Sequence, residues 1–325
     1  MRSTHTRGAV LAHARGPVSV ESLHLGEPAA GEVLLRMEAC GICHSDLFVA
    51  GLERLPLAPL TLGHEGVGRV EAVGPGVDNW ATGDRAGVTF LGVTCGDCEW
   101  CAAGRERFCP KQTNFGYTLQ GVMGDYAVSP ASALVRIPDP LDAVDAAPLC
   151  CAGWTAYGAL REAALSPGQS VALFGYGGLG HLALQMALHQ GLRTVVSDPS
   201  EEKQALARAA GADTVQPRGM DAAIVFTAAP AAIPQAFRSL RRNGTLILVG
   251  LAVTSYELPL VDTVLKGITI RGSYLGSRDD LAVVFDLAAQ GVLRPQVHTH
   301  ALDEAPALLE SMRRGELQGR AVIAF

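Results

Sequence analysis

The chain has 325 residues, of which 48% are apolar and 18% charged, and its formal net charge is −6. A charged fraction below the average of about 25% excludes intrinsic disorder. The acidic balance without a basic tract argues against nucleic acid or an anionic membrane as a partner. No apolar run reaches the roughly 18–20 residues of a membrane helix. With no secretory signal at the N-terminus, we expect a cytoplasmic protein of about two domains.

The elements predicted along the chain change in character near residue 170. Residues 31–38 and 66–74 alternate as short strands broken by glycine and proline. Beyond residue 170, strands alternate with helices and predict a parallel sheet covered by helices on both faces. The predicted strands are 170–174, 193–197, 222–226, 245–249 and 268–273, and the predicted helices are 180–190, 201–210 and 234–240. Residues 319–325 predict a last strand.

Four cysteines form a dense local cluster. Cys95, Cys98, Cys101 and Cys109 follow the spacing C-x2-C-x2-C-x7-C. In a chain without an export signal, this clustering favours a metal over disulfide bonds. Zn²⁺ accepts four thiolates in a closed tetrahedron, so we predict a structural zinc. An iron–sulfur cluster is the alternative, because it also takes thiolate ligands.

A second set of possible zinc ligands is dispersed along the chain. It comprises Cys43, His64 and Cys151. A catalytic zinc takes three protein ligands and keeps one open position, and two cysteines with one histidine is a known set. Spacing alone does not show that such distant residues meet, and a glycine-flanked histidine is more often a turn or core residue. Cys40 and Cys150 are assigned to no metal.

A glycine-rich segment after the strand at 170–174 predicts dinucleotide binding. Gly175, Gly177 and Gly180 fit the G-x-G-x-x-G pattern, which needs a tight turn, a close backbone approach to pyrophosphate and close helix–strand packing. The N-terminus of the following helix presents its positive end to the phosphates. Asp198 follows the next strand, where an acid binds the adenosine ribose hydroxyls and repels a 2′-phosphate, which favours NAD over NADP. The alternative role for Asp198 is a helix N-cap.

Together these motifs resemble the zinc-dependent alcohol dehydrogenases of the medium-chain dehydrogenase/reductase superfamily. The resemblance runs from Cys40-Gly-Ile-Cys-His-Ser-Asp to Gly272-Ser-Tyr-Leu-Gly-Ser-Arg. It implies an α/β protein with a GroES-like, β-rich catalytic domain (1–150 and 275–325) and a Rossmann NAD-binding domain with a doubly wound parallel sheet (151–274). It also implies an active cleft between the domains, two zinc ions per chain, NAD(H) and a small alcohol or aldehyde substrate. Subunit pairing at the sheet edge near residue 268, giving a homodimer or homotetramer, is expected as well.

The resemblance also implies roles at the catalytic zinc. The ligands would be Cys43, His64 and Cys151. Ser45 would hydrogen-bond the substrate oxygen and start a proton relay, and Asp46 would orient His64. Glu65 would lie close enough to approach the metal. Phe48 stands where many relatives have a histidine that passes the proton to water, so we expect a shortened relay from Ser45 through the nicotinamide ribose hydroxyls to solvent.

Further residues are implied in cofactor and substrate binding. His44 and Arg320 would contact the pyrophosphate and Thr155 the nicotinamide ring. The expected cofactor-binding set is His44, Thr155, Gly175, Gly177, Gly178, Leu179, Gly180, Asp198, Lys203, Val249 and Arg320. The expected walls of the substrate pocket are Phe48, Phe90, Trp154 and Leu275. For Trp154 the alternative is that it packs behind the zinc ligand.

Two other functions remain open at this point. One is an NADPH-dependent aldehyde reductase of the cinnamyl-alcohol type, which would differ in its cofactor. The other is a zinc- and dinucleotide-binding protein without turnover. The complete set of Cys43, Ser45, His64 and Cys151 argues against the second, and it also argues against a zinc-free quinone reductase.

Overall fold

The computed structural model describes residues 4–251, 255–317 and 319–325. The chain divides into two compact units: unit 1 is Met1–Cys151 with Pro295–Phe325, and unit 2 is Ala152–Arg294. The expected assignment of residues 275–294 to the catalytic domain is therefore corrected. Several contacts tie this segment to the rest of unit 2, among them the ion pair of Asp280 with Arg161 and the hydrogen bond from the indole of Trp154 to Ser277 O. Within the described ranges, no helix is long and apolar enough to cross a membrane.

Among the described residues, strands predominate before residue 140, and strands alternate with helices from residue 170 onward. The strands are β1 (Thr4–Leu11), β2 (Val18–Leu25), β3 (Glu32–Gly41), β4 (Leu60–Thr61), β5 (Glu65–Val73), β6 (Arg85–Val88), β7 (Tyr126–Pro130), β8 (Val135–Arg136), β9 (Ser170–Phe174), β10 (Arg193–Ser197), β11 (Met220–Val225), β12 (Leu240–Leu248), β13 (Thr269–Gly272), β14 (Val297–His300) and β15 (Arg320–Ala324). The helices are α1 (His44–Ala50), α2 (Glu99–Ala102), α3 (Ala143–Pro148), α4 (Trp154–Ala163), α5 (Gly180–His189), α6 (Glu201–Ala209), α7 (Ala232–Ser239), α8 (Leu260–Lys266), α9 (Arg278–Ala289) and α10 (Ala305–Arg313).

Unit 1 is built mainly from antiparallel strands, and its one parallel pair among the described strands is β14 with β15. Its larger sheet has the order β14-β15-β3-β5-β6-β8, with β7 also paired to β3, and a smaller sheet has the order β2-β1-β4. The apolar positions of β3, among them Val33, Leu35 and Met37, enter one buried core. The predicted strands at 31–38 and 66–74 are confirmed as β3 and β5. Their register pairs Gly41 with Glu65, which fixes where each strand delivers the residues at its end.

Unit 2 contains a parallel sheet with the strand order β10-β9-β11-β12-β13. All its strand pairs are parallel, as the strand–helix alternation predicted. In the sheet, β10 lies on one side of β9, and β11, β12 and β13 follow one another on its other side. The order therefore reverses beside β9, and such switch points are where open α/β sheets bind ligands, at the carboxyl ends of the strands. The strand predicted at 245–249 begins earlier, at Leu240, because the chain passes directly from α7 into β12.

Candidate active site

Four possible metal ligands meet in the interior of unit 1. One ligand atom from each of Cys43, His64, Glu65 and Cys151 lies within 4.8 Å of the other three, and all four residues are buried. The Sγ atoms of Cys43 and Cys151 are 4.0 Å apart. Two sulfurs bound to one tetrahedral zinc at about 2.3 Å would lie about 3.8 Å apart. The two cysteines are therefore spaced for a single ion.

Each of these residues is delivered by the end of a secondary-structure element. Cys43 is the N-cap of α1, and Cys151 lies in the π-helical turn Leu149–Gly153. His64 and Glu65 stand at the start of β5. Glu65 lies so close to its strand partner Gly41 that a side chain at position 41 would overlap its carboxylate. Glycine at this position lets the four ligand-bearing side chains converge.

Asp46 orients two members of the cluster. Its carboxylate accepts hydrogen bonds from the backbone N–H of Cys43 at 2.9 Å and of Gly63 at 3.3 Å. It also lies 3.2 Å from Nδ1 of His64. The other ring nitrogen, Nε2, is buried without a hydrogen-bond partner. Because an unpaired buried polar atom is costly, this nitrogen fits a metal ligand, and the arrangement matches the orienting role expected of Asp46.

The charges in this cluster influence one another strongly. The hydrogen bond with Cys151 lowers the pKa of Cys43 well below its ordinary value, and His64 and Arg320 lower it further. The same hydrogen bond, together with burial, raises the pKa of Cys151. Burial alone would lower the pKa of His64, but the neighbouring Asp46 raises it well above its ordinary value. The cluster thus favours a thiolate at Cys43, which is the form that binds a metal.

Glu65 forms a buried ion pair that the sequence analysis did not anticipate. Its Oε1 accepts a hydrogen bond from Nη2 of Arg320, and both side chains are almost completely buried. Desolvation by burial raises the pKa of Glu65 to about 7, although Arg320 opposes the shift. The second oxygen, Oε2, is buried and unpartnered. The sequence analysis expected Arg320 at the cofactor pyrophosphate and did not pair it with Glu65. The available signal was the position of Glu65 next to His64, because an acid buried beside a histidine ligand needs a cationic partner.

The remaining predicted site residues of unit 1 differ in their exposure and in their contact with the ligand residues. The half-buried Ser45 lies on α1 with its Oγ 3.7 Å from Sγ of Cys43. His44 is exposed on the same helix, and Phe48 is 48% exposed. The ring of Phe90 meets that of His64 edge-to-face, with centroids 5.2 Å apart. Ser45 and Phe90 therefore touch the ligand residues themselves.

The four-cysteine cluster also converges on one point. Sγ–Sγ distances are 3.5 Å for Cys98–Cys101, 3.5 Å for Cys95–Cys109 and 3.9 Å for Cys95–Cys101. These match the spacing of about 3.8 Å expected around one tetrahedral zinc. A cluster of several irons would hold the sulfurs on different metal atoms and hence farther apart. The geometry favours a single ion over an iron–sulfur cluster.

The glycine-rich turn of unit 2 has the conformation its pattern predicted. Gly175 has φ +99° and donates its N–H to Ser197 O at 2.9 Å. A Cβ at Gly180, the first residue of α5, would overlap the carbonyl oxygen of Gly175, whereas one at Gly177 would meet nothing within 4 Å. Gly178 and Leu179 complete the turn, with Leu179 as the N-cap of α5. The backbone at Gly177 is therefore open to a close approach by a ligand.

Asp198 is tied to this turn by its side chain. Its Oδ2 accepts the backbone N–H of Tyr176 at 2.8 Å and its Oδ1 accepts that of Ser200 at 3.0 Å. The N-cap of α6 is Ser200, whose hydroxyl accepts the N–H of Lys203, so the alternative role of Asp198 as the cap is not observed. The contact with Tyr176 was not predicted, because no local spacing links residues 176 and 198. Val249 directly follows β12 and donates its N–H to Val225 O.

Trp154 does not fit the predicted role of a pocket wall. Its side chain is 1% exposed, and its indole N–H donates to Ser277 O at 2.6 Å. The expectation is corrected because the indole fills the interior of unit 2 beside Gly276. Thr155, the next residue of α4, and Leu275 are also buried.

Comparison with known proteins identifies the family. The model described as an alcohol dehydrogenase GroES-like domain matches residues 29–139, and the model described as a zinc-binding dehydrogenase matches residues 178–290. An alcohol dehydrogenase of Geobacillus stearothermophilus is 40% identical over 336 aligned residues, which cover 98% of each chain.

Two solved structures share the fold over almost the whole length. A cinnamyl alcohol dehydrogenase from Sorghum bicolor has a TM-score of 0.90 at 29% identity, covering 99% of this chain and 98% of its own. Acetophenone reductase from Geotrichum candidum, solved in complex with NAD, has a TM-score of 0.89 at 28% identity, covering 100% of this chain and 98% of its own. The chain belongs to the zinc-dependent alcohol dehydrogenases of the medium-chain dehydrogenase/reductase superfamily.

Proposed function

We propose that this protein is an NAD-dependent zinc alcohol dehydrogenase that transfers hydride reversibly between a primary or secondary alcohol and NAD(H). The observation that carries the proposal is the buried meeting of Cys43, His64 and Cys151, with Nε2 of His64 unpartnered. The glycine turn at 175–180 supports the dinucleotide half of the reaction. Membership of the family supports the chemistry.

Cys43, His64 and Cys151 are proposed to hold the catalytic zinc, and the four-cysteine cluster is proposed to hold a second, structural zinc. The catalytic ion would supply Lewis acidity, which favours the alkoxide form of an alcohol and polarises a carbonyl in the reverse direction. Asp46 keeps the imidazole turned so that Nε2 faces the two sulfurs. Glu65, paired with Arg320, adds a fourth side chain, a carboxylate, within reach of the same point.

Ser45 is proposed to accept the proton released by the alcohol. Its hydroxyl is beside Cys43 and can both accept and donate a hydrogen bond. Phe48, one turn further along α1, offers no proton acceptor, so the proton leaves Ser45 without help from position 48. A Phe48→His substitution should raise the rate of alcohol oxidation above the ordinary histidine pKa of about 6.5, where the neutral imidazole can accept the proton, and shift the pH profile. An unchanged profile would contradict a role for this position.

NAD is the proposed cofactor because of Asp198. Its two carboxylate oxygens are held by the N–H groups of Tyr176 and Ser200, which fixes a negative charge beside the glycine turn. Such a charge repels the 2′-phosphate of NADP. The bound NAD of the related acetophenone reductase supports the same choice.

The preference can be tested with a matched pair of variants. Asp198→Asn keeps an oxygen that can accept one of these hydrogen bonds but removes the charge, and it should reduce the ratio of kcat/KM for NAD over NADP by about tenfold or more. Asp198→Ser with an added arginine nearby should reverse the preference. If the ratio stays constant in both variants, the assignment of Asp198 is wrong.

The similarity to the cinnamyl alcohol dehydrogenase supports one alternative function, that of an NADPH-dependent aldehyde reductase. A coupled screen of ethanol, a medium-chain alcohol, a benzylic alcohol and the corresponding aldehydes, each with NAD and NADP, separates the two. Measurement of zinc per chain completes the experiment. NAD-coupled oxidation with two zinc ions per chain supports the proposal, turnover with NADPH alone supports the alternative, and zinc binding without any turnover contradicts both.

Pairing with a second copy of the chain is proposed at α8 and β13. Leu260, Val261, Val264 and Leu265 are between 66% and 69% exposed on α8, and β13 ends the described parallel sheet. An apolar face of this kind beside an open strand suits burial in a homodimer or homotetramer. Light scattering should show an oligomer that Val264→Glu weakens, and a monomeric wild-type protein would exclude it.

A further inference from the structure

Leu275 holds a backbone conformation that is unusual for its side chain. Its φ is +54°, in the left-handed region that favours glycine. The residue is buried, as are Gly276 and Ser277 after it, so the conformation belongs to the packed interior of unit 2. Strained residues persist only where the surrounding structure enforces them, and they concentrate at ligand-binding positions. The segment 275–277 is called the Leu275 turn below.

One face of α4 holds the Leu275 turn. The indole N–H of Trp154 donates to Ser277 O at 2.6 Å. One turn later, Gly158 lies so close to Leu275 O that a Cβ there would overlap it. Arg161 pairs with Asp280, which accepts the N–H of Ser277 in the capping box of α9. Three positions of one helix therefore fix both ends of the turn.

Gly276, in the middle of the Leu275 turn, also packs closely against Trp154. A Cβ at Gly276 would lie 2.5 Å from Cδ1 and Nε1 of the indole. The indole is thus in contact with the backbone between Leu275 and Ser277. Phenylalanine at position 154 would remove the hydrogen bond and would lack the Cδ1–Nε1 edge that makes this contact.

The Leu275 turn lies at the carboxyl end of the parallel sheet, the edge where dinucleotides bind. The turn follows β13, the last strand of the half-sheet β11-β12-β13, at its carboxyl end. In doubly wound dinucleotide folds, each half of the sheet binds one mononucleotide at the carboxyl ends of its strands. Asp198 follows β10 on the other side of β9, where the adenosine half is expected. The Leu275 turn therefore borders the position of the nicotinamide nucleotide.

We propose that Trp154 is a positioning residue for the dinucleotide: with Gly158 it holds the Leu275 turn in the conformation that receives the nicotinamide half. This inference rests on the proposed function of the protein as an NAD-dependent dehydrogenase. It replaces the expected role of Trp154 as a wall of the substrate pocket. Because the turn is set before the ligand arrives, its main effect is on binding of the cofactor.

The test compares two buried tryptophans in the zinc-loaded full-length protein. Trp80 in unit 1 is also buried, and its indole N–H also donates to a backbone oxygen, Ala131 O at 3.1 Å. Trp154→Phe and Trp80→Phe should therefore lower Tm by similar amounts. The dissociation constant of NADH is measured by its own fluorescence, excited directly rather than through tryptophan, and KM for NAD and kcat are measured with one alcohol.

Trp154→Phe should raise both the NADH dissociation constant and KM for NAD by about five- to tenfold, with kcat at saturating NAD changed less than about twofold. Trp80→Phe should leave the dissociation constant within about twofold of wild type. Equal dissociation constants in the two variants would overturn the proposal.

Gly158→Ala provides an independent route, and it decides the matter if Trp154→Phe does not fold. It keeps the indole but forces Leu275 O to move, so it should also weaken NADH binding. Unchanged binding in a folded Gly158→Ala protein would overturn the proposal. A wild-type protein that binds neither NADH nor NADPH would instead contradict the proposed function.

Discussion

The two clusters of possible metal ligands in unit 1 differ in how they are assembled. Cys95, Cys98, Cys101 and Cys109 come from one segment of 15 residues and are only partly buried apart from Cys109. Cys43, His64 and Cys151 come from three distant segments and are fully buried. The first cluster offers four identical ligands, whereas the second mixes sulfur, imidazole and a nearby carboxylate.

Under the proposed assignment, this difference separates a site that stabilises from a site that reacts. A closed set of four thiolates leaves no position for substrate and gains its value by ordering a loop. A set of three ligands leaves one position open, and it needs neighbours such as Asp46 to orient it. Changes at the two clusters should therefore have separable effects, on activity in one case and on stability in the other.

The largest effect is expected at Cys151. Cys151→Ala should lower kcat/KM for alcohol oxidation by about a thousandfold or more, because the metal contributes several kcal/mol to the transition state. Zinc content should fall by one ion per chain. Cys150→Ala is the matched control, since Cys150 is the buried neighbour whose Sγ lies near backbone oxygens of Gly66 and Ala146. An active Cys151→Ala enzyme would contradict the account.

Substitution in the four-cysteine cluster should have the opposite profile. Cys98→Ser should lose one zinc per chain and lower Tm by roughly 5–10 °C, since a few kcal/mol of metal-linked stability is removed. Activity at low temperature should stay within about threefold of wild type. Differential scanning calorimetry and metal analysis check this, and loss of activity with an unchanged Tm would reverse the roles of the two clusters.

A smaller effect is expected where a residue acts through a ligand. Asp46→Asn keeps the shape of the side chain but weakens its bonds to Cys43 N–H and His64 Nδ1–H. Zinc affinity at this cluster should fall by about 10–100-fold, as measured by chelator competition. The four-cysteine cluster should keep its affinity, and equal weakening of both ions would indicate a general loss of structure instead.

The smallest effect is expected at Asp221, which should influence the free energy of unfolding but not the release of zinc in acid. Burial would raise the pKa of Asp221 in unit 2, but hydrogen bonds from Ser170, Arg241 and Gln169 hold it at about 2. A carboxyl group whose pKa is lowered by folding stabilises the protein above its unfolded pKa of about 3.9, and this contribution disappears as the pH falls towards 2.

Asp221→Asn should therefore reduce the free energy of unfolding by about 1 kcal/mol at pH 7, with the difference vanishing near pH 2. Urea denaturation across this range provides the measurement. Zinc release should follow the same pH course in both proteins. A difference that persists at pH 2 would mean that the ionised carboxylate is not the stabilising form.

Much of this architecture was predictable because its signals are local. The strands at 170–174 and 193–197, the glycine turn at 175–180 and the four-cysteine cluster follow from period, spacing and residue type. The ligand set Cys43, His64 and Cys151 was reachable only through the family resemblance. The antiparallel pairing of β3 with β5 brings Cys43 close to His64, and Cys151 comes from the separate turn Leu149–Gly153.

The remainder depends on directions in space that no spacing encodes. Glu65 and Arg320 are paired although they are far apart in the sequence. Asp198 and Tyr176 are in contact because each follows one of two neighbouring strands, β10 and β9. The sequence left Trp154 with two possible roles, a pocket wall or internal packing, because a residue one turn after Cys151 can point either way around its helix. The second domain boundary was set too early because α9 is attached to α4 by side-chain contacts.

The most direct test of the central claim is zinc K-edge X-ray absorption on the protein containing its metal. The account predicts two zinc ions per chain, with sulfur at about 2.3 Å and a minor imidazole shell at about 2.0–2.1 Å that disappears in His64→Ala. A shell of sulfur alone, with one zinc per chain and no change in His64→Ala, would contradict the assignment of Cys43, His64 and Cys151 as the catalytic ligands.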